Sequence, residues 1–313
     1  MRSFRLIPDN TRIDFMRYQY WAYAFSAALV LATLILLPLK GLILGIDFRG
    51  GILMEVKMPS QTVDLAAMRS SLGGLGLGEV ALQTFGEPND VLIRVQRQEG
   101  GEAAQQAAVS EVKGALAKSF GENVSHRRVE FVGPKVSSEL FWAGAQALGY
   151  SLVAILAYIW FRFEWQYGIG AIVALAHDAL TTIGVFALFG LEFNLASVAA
   201  LLTIVGYSLN DTVVIYDRVR ENLRNYKSMP LNALIDRSIN ETLARTIMTG
   251  GTTLLALLAL VIFGGPVIRG VTVAMIWGVV IGTYSSVYVA SPILEHFNLR
   301  RAGGEAVPAA QTS

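Results

Sequence analysis

The sequence has no cysteine and few charged residues, and each shortage excludes a class of protein. Without cysteine, disulfides, thiol catalysis and cysteine-ligated metals are excluded. Asp, Glu, Lys and Arg make up 16% of the 313 residues and hydrophobic residues 53%, whereas an ordinary soluble domain has about 25% charged residues. The formal net charge of +1 provides no basic excess for neutralising phosphates, which argues against a nucleic-acid partner. The composition excludes a plain cytosolic protein.

Charged residues are absent or nearly absent from six long runs. Four of the runs contain none, and the other two contain one aspartate each, Asp178 and Asp211. The runs cover residues 18–38, 140–161, 168–189, 195–216, 246–263 and 271–292. Each is long enough to cross a hydrocarbon layer of roughly 30 Å at about 1.5 Å per residue. The sequence therefore predicts six membrane-spanning helices, the first of them uncleaved because no small-residue cleavage site follows it.

The lysines and arginines predict the orientation of these spans. They precede span one and follow spans two, four and six, whereas segments 190–194 and 264–270 contain only Arg269. Basic residues stay on the cytoplasmic side. We therefore expect both termini in the cytoplasm, with an N-terminal segment over residues 1–17, a cytoplasmic loop over 217–244 and a tail over 293–313. The small, polar end of that tail, from residue 303, is expected to be disordered.

Residues 41–137 form a polar block on the opposite side of the membrane, long enough for a small folded domain. Its patterns predict strands over 51–58, 79–85, 91–97 and 124–131, with helices over 63–72 and 102–120. Val91, Ile93 and Val95 alternate with Leu92, Arg94 and Gln96, which is the two-residue period of a half-buried strand. The βαββαβ order predicts a ferredoxin-like α+β sandwich. All nine prolines fall in loops or at span ends in this prediction.

Few residues suit a metal or hydrolytic site. The chain has three histidines, and His126 and His296 have no partners at ligand spacing. The glycine pairs at residues 73–74 and 100–101 lie at predicted element ends, where turns account for them. We expect no metal, no cofactor and no hydrolytic chemistry.

Ionisable side chains within the spans are the strongest functional candidates, because a charge there costs at least about 2.5 to 3.5 kcal/mol. Asp178, beside His177, lies near the middle of span three. It is either protonated or bonded to a hydroxyl of span four. Asp211, preceded by Asn210, lies near the cytoplasmic end of span four, and Arg245 opens span five at a similar depth. The sequence predicts that Asp211 and Arg245 are partners.

Polar residues also recur at helical spacing on three spans. They are Thr203, Gly206, Tyr207, Asn210 and Asp211 in span four, Arg245, Thr249, Thr252 and Thr253 in span five, and Asp178, Thr181 and Thr182 in span three. Such stripes predict an interior path that binds protons or holds water. The alternative is that they only bond helices together. Gly278 and Gly282 form a GxxxG pair in span six, which is typical of close helix packing.

Several motifs carry a resemblance to a known family. The chain reads GIDFRGG at residues 45–51, VGP at 132–134, AHD at 176–178, GYSLNDT at 206–212 and DRVREN at 217–222. With the topology, these motifs resemble the SecF family of the SecD/SecF proteins, which is related to the proton-driven RND transporters. The resemblance covers residues 1–300. It implies a bacterial inner-membrane subunit that, with SecD, uses the proton motive force to assist late steps of Sec-dependent translocation.

The resemblance also implies partners and residue roles. SecD and the SecYEG translocon are the expected partners, with SecA, YidC and YajC as functional ones, alongside membrane lipid and unfolded secreted polypeptides. Asp211, Arg245, Asp178 and Asn210 are the expected proton-coupling residues. The expected hinge or motif residues are Asp47, Arg49, Gly50, Gly51, Gly133 and Pro134. Two alternatives stay open: a half-size RND exporter of small molecules or lipids, and a purely structural translocon adaptor that would tolerate neutralising Asp211.

Overall fold

The structure, a computed structural model, describes residues 11–297 and 299. Within this part of the chain, six helices are long and apolar enough to cross a membrane. A small α/β domain is inserted between the first two of them. The predicted class, a six-span helical membrane protein with an inserted α+β domain, is confirmed. The predicted disorder of residues 303–313 lies outside the described residues.

Five of the spans are single helices, and the sixth continues through a π-helical turn. Their bounds are α1 Gln19–Lys40, α5 Pro134–Arg162, α6 Trp165–Phe189, α7 Leu195–Asn225, α8 Leu231–Phe263 and α9 Pro266–Ser285, the last followed by the π-helical Ser286–Ala290 and the short α10 Ser291–Ile293. Spans three, four and six form the centre: α6 and α7 are the most buried of the spans, and both pack against α9.

Two helices are longer than the hydropathy predicts. The apolar runs at 195–216 and 246–263 are parts of α7 and α8, so most of the predicted loop 217–244 is helix. Val219, Leu223 and Ile235 are buried between the two extensions, and Asn222 Nδ2 donates to Ser238 Oγ at 3.0 Å. An amphipathic face packed on a neighbour extends a helix beyond its apolar run. Hydropathy alone does not detect such an amphipathic face.

The inserted domain has the predicted βαββαβ order. Its elements are β2 Gly51–Lys57, α3 Leu65–Gly73, β3 Val80–Phe85, β4 Glu87–Val95, α4 Gly101–Phe120 and β5 Ser125–Val132. The antiparallel sheet has the strand order β3-β4-β2-β5, as a split βαβ sandwich requires. The prediction that all prolines lie in loops or at span ends was wrong for Pro88, which lies inside β4. The pairing of β3 with β4 is irregular nearby, at Phe85, and a strand tolerates proline at such an irregularity.

The core of this domain lies between one face of the sheet and its two helices. Ile52, Met54, Ile93, Met68 and Val112 are each fully buried there. Burying a large apolar side chain contributes about 1.5–3 kcal/mol. The domain therefore has a hydrophobic core separate from that of the spans.

The opposite face of the sheet rests on the chain segments that border the membrane. After α1, the two-residue strand β1 Ile43–Leu44 pairs in parallel with β6 Glu192–Phe193, which precedes α7. The short helix α2 Ile46–Arg49 follows β1. Ile46 packs with Leu53 and Leu92 of the sheet. The inserted domain therefore sits on the segments that follow span one and precede span four.

Candidate functional site

Asp178 lies at the centre of the helix bundle and has no exposed surface. Ser208 of α7 and Ser285 of α9 each donate a hydroxyl hydrogen bond to its Oδ2 at 2.6 Å. Its Oδ1 lies 2.9 Å from His177 Nδ1. The span-four hydroxyl considered as a partner for Asp178 is therefore Ser208. Through this one carboxyl group, spans three, four and six are hydrogen-bonded together.

A second set of hydroxyl contacts lies one turn further along α7. Thr212 Oγ1 and Ser286 Oγ are 2.8 Å apart, and Ser286 Oγ donates to the Ser208 carbonyl at 3.3 Å. Ser286 opens the π-helical turn of span six. Such turns are frequent at functional sites. The π-helical turn therefore borders the polar centre of the bundle.

Asp211 lies one turn from Ser208 on α7 and is 2% exposed. Among the residues that the structure describes, its Oδ2 has no hydrogen-bond partner. The Asp211 carboxyl group interacts with the Thr283 hydroxyl of α9 by hydrogen bonding and with the positive charge of Arg245 by electrostatic attraction. A buried carboxylate oxygen without a partner is costly unless it is protonated or changes surroundings. Asp211 therefore stays the proton-coupling candidate that the sequence predicts.

Arg245 is near Asp211 without touching it. The guanidinium lies on an exposed part of α8, and in the described part of the chain it makes no ion pair with Asp211 within 4.0 Å. A Cβ at Gly250 would lie 3.5 Å from the Tyr207 hydroxyl and 3.6 Å from Thr283 Oγ1. α8 therefore approaches α7 and α9 closely on the span-five side of Asp211.

The three polar stripes do not line one interior path within this chain. Asp178, Thr181 and Thr182 of span three are buried, but Thr203 and Asn210 of span four are exposed. In span five, Arg245 and Thr252 are exposed as well. The interior path therefore stays a prediction, and this chain alone does not enclose it. A stripe on one helix shows that a face is polar, but it does not show which neighbour covers that face.

The predicted hinge residues of the GIDFRGG motif are bonded to the start of span four. Asp47 Oδ2 accepts a hydrogen bond from the Leu195 backbone N–H at 2.9 Å, at the first residue of α7. Arg49 is exposed and lines a cleft of about 440 Å³ beside the sheet. These residues do not terminate span one, because α1 already ends at Lys40.

Gly50 and Gly51 are required by close backbone approaches. Both have positive φ angles, 71° and 115°, which favour glycine. A Cβ at Gly51 would lie 2.6 Å from the Val95 carbonyl oxygen, and one at Gly50 would lie 3.1 Å from the Val132 carbonyl oxygen. Gly133 precedes α5 in an extended conformation, and Pro134 is its first residue. The two predicted motifs therefore meet at the base of the domain.

Sequence reasoning missed the hydroxyl partners Ser208, Ser285 and Thr283. The signal available was serine and threonine within apolar spans, and it does not tell a hydroxyl bonded to a carboxyl group from one bonded to its own helix. Among residues 11–297 and 299, no group of three or more His, Asp or Glu side chains could hold a metal ion.

The fold and these polar groups define a class of protein. The chain is a multi-pass membrane protein with an inserted split βαβ domain and two buried aspartates among its spans, and intramembrane carboxyl groups mark ion or proton pathways.

Comparison with known proteins identifies the family within this class. Residues 112–300 match the C-terminal model of the protein export membrane proteins SecD/SecF, and residues 35–58 match the SecD/SecF GG motif. The chain is 46% identical over 297 residues to protein translocase subunit SecF of Rickettsia rickettsii, covering 95% of this chain and 96% of that protein. It is 45% identical over 309 residues to the subunit of the same name from Rhodobacter capsulatus, covering 95% and 92%. The chain belongs to the SecD/SecF family.

A solved structure agrees with this assignment. The crystal structure of SecDF, a translocon-associated membrane protein from Thermus thermophilus, matches with a TM-score of 0.83 and 34% sequence identity over 92% of this chain. A second structure, of SecDF in a super-membrane-facing form, matches with a TM-score of 0.66. This chain spans 39% of the length of each of those chains.

Proposed function

We propose that this chain is the SecF subunit of an inner-membrane complex with SecD that uses the proton motive force to assist late steps of Sec-dependent protein translocation. Protonation and deprotonation of Asp211 drive the movement, with Arg245 as a conditional counter-ion. The subunit has no hydrolytic chemistry of its own in this proposal. The carrying observation is that Asp211 is 2% exposed and has a carboxylate oxygen without a hydrogen-bond partner among the described residues.

The surroundings of Asp211 supply two states for such a cycle. When Asp211 is charged, the attraction of Arg245 favours an approach of α8 toward α7. When Asp211 takes up a proton, that attraction is lost and the helices are free to separate. Moving one charge across 100 mV supplies about 2.3 kcal/mol, which is enough to shift a two-state equilibrium appreciably.

Asp178 has a different role in this proposal. Both of its oxygens have partners, and two serine hydroxyls hold Oδ2. A carboxyl group with satisfied bonds to three helices holds those helices in register rather than moving between partners. It thus forms the fixed frame against which Asp211 acts.

The proposal also specifies how the chain is oriented in the membrane and which proteins it binds. Both termini lie in the cytoplasm and residues 41–137 in the periplasm, because the basic residues cluster at the opposite ends of the spans. SecD covers the exposed polar face around Asn210. The SecYEG translocon is the second direct partner. SecA, YidC and YajC act with the complex, and unfolded secreted polypeptides are its substrate.

The test is translocation of a secreted preprotein into inverted membrane vesicles with ATP supplied, with and without a proton gradient. Asp211→Asn keeps the shape of the side chain and removes its titration, so we expect loss of the gradient-dependent part with normal protein levels. Arg245→Met should give a similar loss. Asp217→Asn is the matched control, because this exposed residue on the same helix only pairs with Arg162 at the surface.

The same measurement separates the alternatives. If Asp211→Asn vesicles respond to the gradient as wild-type vesicles do, the proton-coupling role is wrong and the structural adaptor replaces it. Transport of a lipid or small molecule by the purified complex, with no effect on preproteins, would favour the half-size exporter.

A further inference from the structure

An ion pair joins the inserted domain to the segment that leads into span four. Arg94 of β4 is bonded to Glu192 of β6, and their side chains are only 14% and 19% exposed. We define the junction as residues 43–50 together with residues 190–197. Within it, β1 pairs with β6, the Gly45 N–H donates to the Phe193 carbonyl at 2.9 Å, and Asp47 caps the first residue of α7.

The junction leads directly to the intramembrane carboxyl group. Leu195 and Asp211 belong to the same uninterrupted helix, α7, and 16 residues of helix measure about 24 Å. No proline interrupts α7 between these two residues, and proline is the commonest cause of a sharp helix kink. A displacement of α7 at Asp211 is therefore carried to Leu195 and, through the three residues before it, to Glu192.

The domain side of the contact is equally rigid. Arg94 lies in β4, which pairs with both β2 and β3 in the middle of the sheet. Leu53 and Leu92, on the same sheet face as Arg94, pack on Ile46 of the junction. A cleft of about 440 Å³, lined by Ile43, Arg94 and Arg97, lies beside the Arg94 side of the pair.

Gly45 makes space for the ion pair. A Cβ at this position would lie 2.6 Å from Glu192 Oε1 and 3.0 Å from the Asn194 Cβ. A side chain at residue 45 would therefore push the Glu192 carboxylate away from Arg94. The backbone φ of Gly45 is −69°, so alanine is compatible with the backbone and acts through its contacts with Glu192 and Asn194.

We infer that the Arg94–Glu192 ion pair transmits movement of α7 to the inserted domain, and that the two residues are positioning residues for transport. The inference rests on the proposed function, because the movement that it transmits is the proton-driven one. It assigns to β4 and β6 a role that lies outside the motifs of the sequence.

The experiment uses the full chain with its partner subunit in inverted vesicles. Arg94→Glu and Glu192→Arg should each lower the gradient-dependent part of preprotein translocation about fivefold, and the double charge exchange should restore most of it. Gly45→Ala should lower it without changing either charge. The control is Lys57→Glu with Glu87→Lys, an exposed pair 2.6 Å apart in the same domain, where Lys57 lowers the pKa of Glu87.

Hydrogen exchange of the purified complex reports on the junction independently of transport. The Leu195 and Gly45 amides should exchange faster in each single variant and return toward wild type in the double variant. A merely structural role for Arg94 would alter exchange throughout the sheet and would not be rescued by exchanging the charges.

The outcomes separate this inference from the proposed function. If the single variants keep the full gradient response while Asp211→Asn has lost it, the inference is wrong and the proposed function stands. If the double variant fails to recover, the residues do not act as a pair and the inference is also wrong. If Asp211→Asn itself keeps the response, the proposed function is wrong and the inference falls with it.

Discussion

At the scale of single residues, the two intramembrane aspartates differ in how far their bonding is satisfied. Asp178 has partners on both oxygens and Asp211 has one bare oxygen among the described residues. A buried carboxyl group with hydrogen-bond partners contributes to stability, whereas one without them lowers it. The two positions therefore respond differently to the same substitution.

We expect Asp178→Ala to lower the stability of the chain by about 1–3 kcal/mol, because it leaves the buried Ser208 and Ser285 hydroxyls without their acceptor. Asp178→Asn keeps one acceptor oxygen and should cost less. Asp211→Asn should change stability little. Unfolding of the detergent-solubilised chain measures all three. Equal losses for Asp178→Ala and Asp211→Asn would contradict this division of roles.

At the scale of elements, span six packs closely against span four because span six has glycines, without side chains, at the contact. A Cβ at Gly282 would lie 2.9 Å from the Ser208 Cβ, and a Cβ at Gly278 would collide with Ile204. The close packing predicted for Gly278 and Gly282 therefore occurs between two helices of this chain. Because α7 occupies this face of span six, the two glycines do not face a second chain.

Gly278→Val should separate α9 from α7 and cost about 1–3 kcal/mol, since overpacking forces backbone shifts. The Asp178 hydrogen bonds to Ser208 and Ser285 join the same two helices and should weaken with it. Gly149→Ala in α5 is the matched control, because a Cβ there meets nothing within 4 Å. Thermal unfolding in detergent compares them. A Gly278→Val chain as stable as the control would mean that the two helices are not tightly packed.

At the scale of the whole molecule, several polar residues of the membrane-spanning helices lie on the surface of the chain. Thr203 and Asn210 of α7 and Arg245 and Thr252 of α8 are exposed within helices that cross the membrane. Polar groups facing lipid are unfavourable, and helices cover them by packing together. This chain spans 39% of the length of the matched SecDF chain, and in our proposal the partner subunit covers this face.

We expect Asn210→Trp to reduce co-purification of the SecD-type partner about tenfold, because a bulky side chain keeps the two polar faces apart. Val153→Trp is the control, because it places the same bulky side chain at an exposed apolar position of α5. Blue-native electrophoresis of membranes solubilised in mild detergent reports the fraction of complex. Full assembly with Asn210→Trp would place the partner on another face.

Sequence patterns alone determined the spans, the order of the inserted domain and the identity of the buried acids. The bilayer imposes the length and polarity of each span, and strand or helix periodicity records local burial, so both signals are contained within short segments. The charge-free runs and the alternation at Val91, Ile93 and Val95 therefore predicted real elements. The extensions of α7 and α8 were missed because packing between two distant helix faces sustains them.

Only the tertiary structure decided which polar groups meet. Asp178 finds Ser208 and Ser285 at separations of 30 and 107 residues, and Asp47 finds the start of α7 at a separation of 148. The free energy of such a bond depends on the angle and depth at which two helices or strands cross. A stripe of polar residues records one face of one helix and carries no information about its partner. Whether Asp211 has partners, is exposed or keeps an oxygen without a partner is therefore set by how distant helices pack around it, not by the residues on either side of it.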